Sequence, residues 1–166
     1  NPLTIMLSFI GIMLAGAYPF VKRYSHFPQV VLGMAFGWGA VMAWSAVRGT
    51  VDIVPVLIFA ANIFWSTAYD TIYALMDKED DLRIGVKSTA IFFGPSVYNA
   101  LVFLYFCFTA LLGAAGLIEG MGLTFFAGLL LCLILFMAVV AMVKTNPARR
   151  TAFKGFLANA AIGGVL

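Results

Sequence analysis

An acidic run lies at the end of one strongly apolar block of the sequence. The run YDTIYALMDKEDDLRIGVKS begins at Tyr69. An α-helix turns by about 100° per residue, so Asp77 lies at about −20° and Asp81 at about +20° from Asp70. These three carboxylates, which we call the acidic stripe, therefore share one narrow face of the predicted helix, and Tyr73 lies close to it.

A stripe of carboxylates at a membrane boundary calls for a compensating cation. Like charges on one helix face repel each other, and a carboxylate at the centre of a spanning helix costs about 2.5–3.5 kcal/mol on insertion scales, less near the end. Asp77 and Asp81 can present oxygens to one Mg²⁺ ion, which takes few carboxylates and completes its shell with water and phosphate oxygens. Glu79 points to the opposite face and Asp80 to the flank. The structural alternative is a solvated helix end, with Asp70 paired to a lysine.

Basic side chains accompany the acidic stripe. Arg83 and Lys87 follow it directly, and Arg23 ends the cluster YPFVKR. In that cluster Tyr18 and Lys22 are four residues apart and share a helix face. An interfacial tyrosine and a snorkelling lysine would explain the cluster alone. Beside the acidic stripe, however, these cations predict an anionic ligand.

The elements that position these residues are apolar blocks long enough to cross a bilayer. Hydrophobic residues make up 63% of the 166-residue chain and charged residues 10%, whereas soluble domains have about 45–50% and 25%. A spanning helix needs about 20 mostly apolar residues. Five blocks reach that length: 3–21, 27–47, 53–75, 91–117 and 121–143. A sixth block begins near Phe153 and stops at Leu166. The sequence therefore predicts an all-α integral membrane bundle and excludes a soluble or disordered chain.

The distribution of basic residues predicts the orientation of this bundle. Consecutive joints between spans must lie on alternate sides of the bilayer, and one side then holds nine of the ten lysines and arginines. Only Arg48 falls on the other side. The positive-inside rule makes the basic side cytoplasmic.

Other residues offer little chemistry. Cys107 and Cys132 are too few for a disulfide framework, and a single histidine, His26, excludes a His-pair zinc motif. The scattered basic residues disfavour nucleic-acid binding. Gly33-x-x-x-Gly37 is a signature of close helix packing.

Two stretches of the chain, YPFVKRYSHFPQVVLG and AYDTIYALMDKEDDLRIGVKSTAIFFG, resemble the UbiA superfamily of intramembrane prenyltransferases. The resemblance implies nine spanning helices around a central cavity closed by cytoplasmic loops, in the bacterial inner membrane. Two aspartate-rich motifs serve Mg²⁺ and diphosphate in that family. The second motif matches Asp77-x-x-x-Asp81 with Asp70 upstream, and the YxxxK motif matches Tyr18 and Lys22. The first motif, NDxxDxxxD, is absent, so we expect residues 1–166 to be the C-terminal portion of a single domain truncated at both ends.

The resemblance also implies a reaction: transfer of a polyprenyl group from polyprenyl diphosphate to the aromatic ring of 4-hydroxybenzoate, in ubiquinone biosynthesis. Asp70 would orient or deprotonate the acceptor hydroxyl, and Arg23 would hold either the benzoate carboxylate or a phosphate oxygen. The expected site residues are Tyr18, Lys22 and Asp70 for catalysis, Arg23, Tyr73, Arg83 and Lys87 for substrate binding, and Asp77 and Asp81 for Mg²⁺.

Three alternatives stay open at this point. The first is a related enzyme whose acceptor is a naphthoate, a homogentisate-like ring or haem, because the acidic stripe does not discriminate among acceptors. The second is a transporter or ion pathway, since acids on spanning helices also suit cation coupling. The acids cluster at one end of the predicted bundle, which we call the mouth, rather than at a midplane site. This position disfavours a transporter. The third is a non-catalytic fragment that lacks the first motif.

Overall fold

A computed structural model describes residues 1–164 of the chain, apart from the side chains of Lys22 and Arg23. The described residues form helices and no strands, which confirms the all-α class. The elements are α1 (Pro2–Tyr24), α2 (Pro28–Arg48), α3 (Ile53–Ile84), the short α4 (Thr89–Phe93), a 3₁₀ turn (Gly94–Ser96), α5 (Val97–Ile118), α6 (Leu123–Thr145) and α7 (Arg149–Gly163).

Within residues 1–164, five helical segments are long and apolar enough to cross a membrane, which confirms the five predicted spans. The sequence predicted the fourth block as one span over 91–117, but the structure divides this region into two helices. It is interrupted at Gly94–Ser96, where Gly94 adopts φ +50° and Pro95 follows. Proline has no backbone N–H and disfavours helical geometry in the residue before it, so the chain bends before α5 begins. The last helix starts at Arg149, earlier than the predicted Phe153.

Helix α3 occupies the centre of the bundle, where it packs against α2, α5 and α7. It packs tightly against α2, because two glycines lie at the contact. A methyl group on Gly33 would lie 2.9 Å from the Cα of Ile63, and one on Gly37 would lie 3.0 Å from Asn62 Nδ2. This contact confirms the packing role predicted for the Gly33-x-x-x-Gly37 pair.

Buried polar pairs hold two further elements against their neighbours. The Tyr105 hydroxyl of α5 donates to Asn159 Oδ1 of α7 at 2.5 Å, and both residues are fully buried. The hydroxyls of Thr71 on α3 and Thr89 on α4 lie 2.6 Å apart. Interhelical hydrogen bonds of this kind contribute about 0.6 kcal/mol on average in membrane bundles. They position α7 and α4 beside α3.

The joints between helices gather at two ends of the bundle. At one end Arg48 Nη2, on the last residue of α2, lies 3.6 Å from Glu119 Oε2, which directly follows α5. At the other end Lys87 Nζ, after α3, donates to the Tyr24 carbonyl at the end of α1 with a distance of 3.2 Å. The alternation of joints expected from the sequence is therefore present, and the basic joints share one end.

Candidate functional site

The acidic stripe is presented by one uninterrupted helix. Helix α3 is capped by Asp52, whose side chain accepts a hydrogen bond from the backbone N–H of Val54, and it runs for 32 residues from Ile53. Gly85 ends it in the left-handed conformation, at φ +73°, and its N–H bonds back to the Asp81 carbonyl. Both ends therefore have the capping residues that helices prefer. All three acids of the stripe lie inside the helix, which confirms the helical register predicted for them.

Arg149, the first residue of α7, contacts two of the acids on α3. Its Nη2 donates to Asp77 Oδ1 at 3.0 Å and its Nη1 to Asp80 Oδ2 at 3.3 Å. Arg83 Nη1 lies 3.9 Å from the other oxygen of Asp80. Sequence reasoning assigned Arg149 to membrane topology alone. A cation in the first turn of a helix is unfavourable because it opposes the helix dipole, which would have indicated a specific partner for Arg149. This signal is usable only if the sequence shows that the helix starts at Arg149.

Asp70 lies about two helical turns deeper than Asp77. Its side chain is half-buried, and its charge is within electrostatic range of the hydroxyls of Tyr18 on α1 and Tyr69 on α3. The acidic stripe is therefore flanked by α1 at its inner end and by α7, through Arg149, at its outer end. This arrangement brings Tyr18 and Asp70, two residues predicted from distant motifs, into one region.

Four aromatic rings form a column beside the acidic stripe. Trp65 stacks on Tyr69 with ring centroids 5.7 Å apart, and Tyr69 stacks on Phe156 of α7 at 4.3 Å. Tyr73 meets the same phenylalanine edge-on at 5.1 Å. The aromatic column, defined as Trp65, Tyr69, Phe156 and Tyr73, runs from the apolar interior towards the mouth. Sequence reasoning singled out Tyr73 and missed Phe156, because only packing of α7 against α3 places that ring.

A cavity of about 360 Å³ opens at the inner end of the aromatic column. It lies between α2, α3 and α7, and its volume is in the range of ligand pockets. Its lining is mostly apolar: Leu32, Phe36, Trp65, Ser66, Tyr69, Ala160, Gly163 and Gly164. The buried indole N–H of Trp65 finds no hydrogen-bond partner among the described residues. The cavity thus has a mostly apolar wall, and Trp65 contributes its ring to that wall.

The predicted basic residues lie at the same end of the bundle as the acidic stripe, but not all of them face it. Arg83 reaches the flank of the stripe through Asp80. Lys87 ties the loop after α3 to the end of α1. The side chains of Lys22 and Arg23 lie outside the described part of the structure.

Among residues 1–164, no three His, Cys, Asp or Glu side chains form a group that would hold a metal ion. The candidate ligands stay the pair predicted from the sequence, Asp77 and Asp81, which lie one helical turn apart on α3. Two carboxylates are compatible with Mg²⁺, which keeps several waters and uses phosphate oxygens as further ligands. The pairing of Asp77 with the Arg149 guanidinium also places a positive group beside this carboxylate.

Known proteins resemble this chain along nearly its whole length. Residues 1–160 match the model of the UbiA prenyltransferase family. A 4-hydroxybenzoate octaprenyltransferase of Alkalilimnicola ehrlichii is 45% identical over 166 residues, which are 100% of this chain and 56% of that protein. One from Xanthomonas campestris pv. campestris strain B100 is 46% identical over 163 residues, covering 98% and 54%. The chain thus spans about half the length of the curated relatives it matches.

A solved structure supports the same relationship. The apo structure of a UbiA homolog from Aeropyrum pernix K1 superposes with a TM-score of 0.78 at 26% identity, covering 99% of this chain and 63% of that one. Fold, family match and curated relatives agree, so the chain belongs to the UbiA prenyltransferase family.

Proposed function

We propose that the protein transfers a polyprenyl group from polyprenyl diphosphate to the aromatic ring of 4-hydroxybenzoate, as a step of ubiquinone biosynthesis. The observation that carries this proposal is the acidic stripe at one end of α3, with an aromatic column and an apolar cavity further along the same helix. Family membership and the names of the curated relatives support it. The acceptor rests on those names and on the sequence resemblance, because the acidic stripe itself is compatible with other aromatic rings.

The donor diphosphate would bind at the mouth. Asp77 and Asp81 would hold Mg²⁺, which supplies charge neutralisation of the diphosphate when bound. Lys22, Arg83 and Lys87 belong to the same end of the bundle and would add positive charge around the leaving group, which is electrostatic catalysis of its departure. Arg23 would contact either a phosphate oxygen or the acceptor carboxylate.

The prenyl chain would extend from the mouth along the aromatic column into the cavity. The column and the cavity lining offer apolar surface to an isoprenoid. When the allylic C–O bond breaks, its electron pair leaves with the diphosphate and positive charge develops on the allylic carbon. Ring faces attract cations at distances of up to about 6 Å. Tyr73, nearest to the mouth, would therefore stabilise this carbon.

The acceptor would lie between the donor and Asp70. The electron-rich ring carbon beside the hydroxyl attacks the allylic carbon, a C–C bond forms, and that ring carbon then loses its proton. Asp70 would orient or deprotonate the hydroxyl, which makes the ring more nucleophilic. Tyr18, whose hydroxyl lies within electrostatic range of Asp70, would position this carboxylate or the acceptor.

A product assay tests the proposed function. Membranes containing the intact protein, supplied with octaprenyl diphosphate, Mg²⁺ and radiolabelled 4-hydroxybenzoate, should yield a lipid-soluble product labelled in the ring. A naphthoate and homogentisate supplied in parallel serve as competing acceptors. Prenylation of one of these in preference to 4-hydroxybenzoate would contradict the acceptor, whereas no transfer to any ring would contradict the reaction.

We further propose that the end carrying the acidic stripe faces the cytoplasm of a bacterial inner membrane. Nine of the ten basic residues belong to this end, as the positive-inside rule requires. In a Cys107→Ala background, an impermeant maleimide added to intact cells should label Thr50→Cys and leave Glu79→Cys unlabelled until the membrane is opened. Both substituted positions are exposed in the structure. Labelling of position 79 but not position 50 in intact cells would reverse the orientation.

A further inference from the structure

Arg149 makes contacts that membrane topology and helix stability do not by themselves explain. It is the first residue of α7, where the positive end of the helix dipole disfavours a cation. Its neighbour Arg150 carries the same charge and is also exposed. What distinguishes Arg149 is its pair of hydrogen bonds to Asp77 and Asp80, at 3.0 Å and 3.3 Å.

These two acids differ in the role they have at the site. Asp77 belongs to the acidic stripe and is a proposed Mg²⁺ ligand, whereas Asp80 lies on the flank and is also approached by Arg83. The Arg149 guanidinium therefore bridges Asp77, which the proposed metal site uses, and Asp80, which that site does not use. Because two positive groups repel each other across one carboxylate, Arg149 and a divalent cation compete for Asp77.

We propose that Arg149 pairs with Asp77 in the metal-free protein and yields it when the metal binds, staying anchored on Asp80. This inference rests on the proposed Mg²⁺ site. The side chain of Arg149 is 64% exposed and that of Asp77 31%, so water weakens their ion pair. A weak ion pair lets Asp77 leave Arg149 for a metal ion at little cost in free energy. Arg149 thus neutralises the mouth without metal, and Asp80 keeps it from blocking the site afterwards.

Binding of Mn²⁺ to the intact protein in detergent, followed by electron paramagnetic resonance, measures this competition without requiring turnover. Removing the competitor with Arg149→Met should tighten Mn²⁺ binding about 2- to 5-fold, the range of exposed ion pairs. Arg150→Met removes the same charge one residue away and is the matched control, which should change binding much less. Asp80→Asn should weaken binding, because Arg149 then rests on Asp77 alone.

The double variant separates a shared arginine from simple charge effects. If Asp80 acts through Arg149, then Asp80→Asn loses most of its effect in the Arg149→Met background, which is a coupling between the two substitutions. Effects that add independently in the double variant, or equal shifts for Arg149→Met and Arg150→Met, would overturn the inference.

The same measurement distinguishes failure of this inference from failure of the metal site. Wild-type binding of Mn²⁺ that Asp77→Asn weakens, with Arg149→Met and Asp80→Asn both indistinguishable from wild type, refutes the role of Arg149 alone. Equal binding by the wild type and Asp77→Asn would refute the proposed ligand itself, and the role of Arg149 with it.

Discussion

Replacing either Asp77 or Asp81 by alanine is expected to lower prenyl transfer by the intact protein by at least about 100-fold, the loss typical when one main electrostatic contact to a charged group is removed. Each substitution removes half of the carboxylate pair proposed to hold Mg²⁺. Transfer is measured with radiolabelled 4-hydroxybenzoate at saturating octaprenyl diphosphate. Gel filtration of the detergent-extracted protein checks that each variant is folded.

Two neighbouring acids are the controls for this prediction. Asp80→Ala also removes a partner of Arg149, but it leaves the acidic stripe complete, so its effect should be much milder. Glu79 is exposed and contributes to a pocket on another face of α3, beside Tyr98 and Pro147, so Glu79→Ala should be milder still. Near-normal transfer by both Asp77→Ala and Asp81→Ala would refute the Mg²⁺ site. Loss of folding in both would favour a purely structural role.

Asp70→Asn is expected to separate donor binding from chemistry. Asp70 lies about two turns below Asp77, so a metal held at the mouth does not need its carboxylate. The amide keeps the shape of the side chain and removes both its charge and its basicity. Transfer to 4-hydroxybenzoate should fall by about 10²–10⁴-fold, the usual contribution of a general base. Binding of a non-reactive polyprenyl diphosphate analogue should change little.

Two results would contradict this role. A collapse in affinity for the donor analogue would place Asp70 with the metal and the diphosphate instead of the acceptor. Transfer that survives largely intact would show that Asp70 neither orients nor deprotonates the hydroxyl. Tyr18→Phe is an informative companion, because it removes only a hydroxyl within electrostatic range of Asp70. It should lower transfer without altering donor binding.

The mouth of the site illustrates how local and distant information combine. The helical register of Asp70, Asp77 and Asp81 follows from a period of 3.6 residues, which any helix over this run would have. Their location at a membrane boundary follows from the hydropathy of the preceding block. The partner of Asp77, in contrast, is an arginine 72 residues away in sequence. No local pattern connects the two, because their meeting depends on how α7 packs against α3.

The sequence by itself determined that this chain is a membrane bundle with five spans, and it placed the acidic stripe on one helix face. Both depend on short-range properties: the length of apolar runs, set by bilayer thickness, and the helical period. Only the tertiary structure decided that Phe156 joins Tyr69 and Tyr73 in one aromatic column, that a cavity opens beneath it, and that Arg149 reaches Asp77. These contacts link helices far apart in sequence, and side-chain packing between those helices selects them.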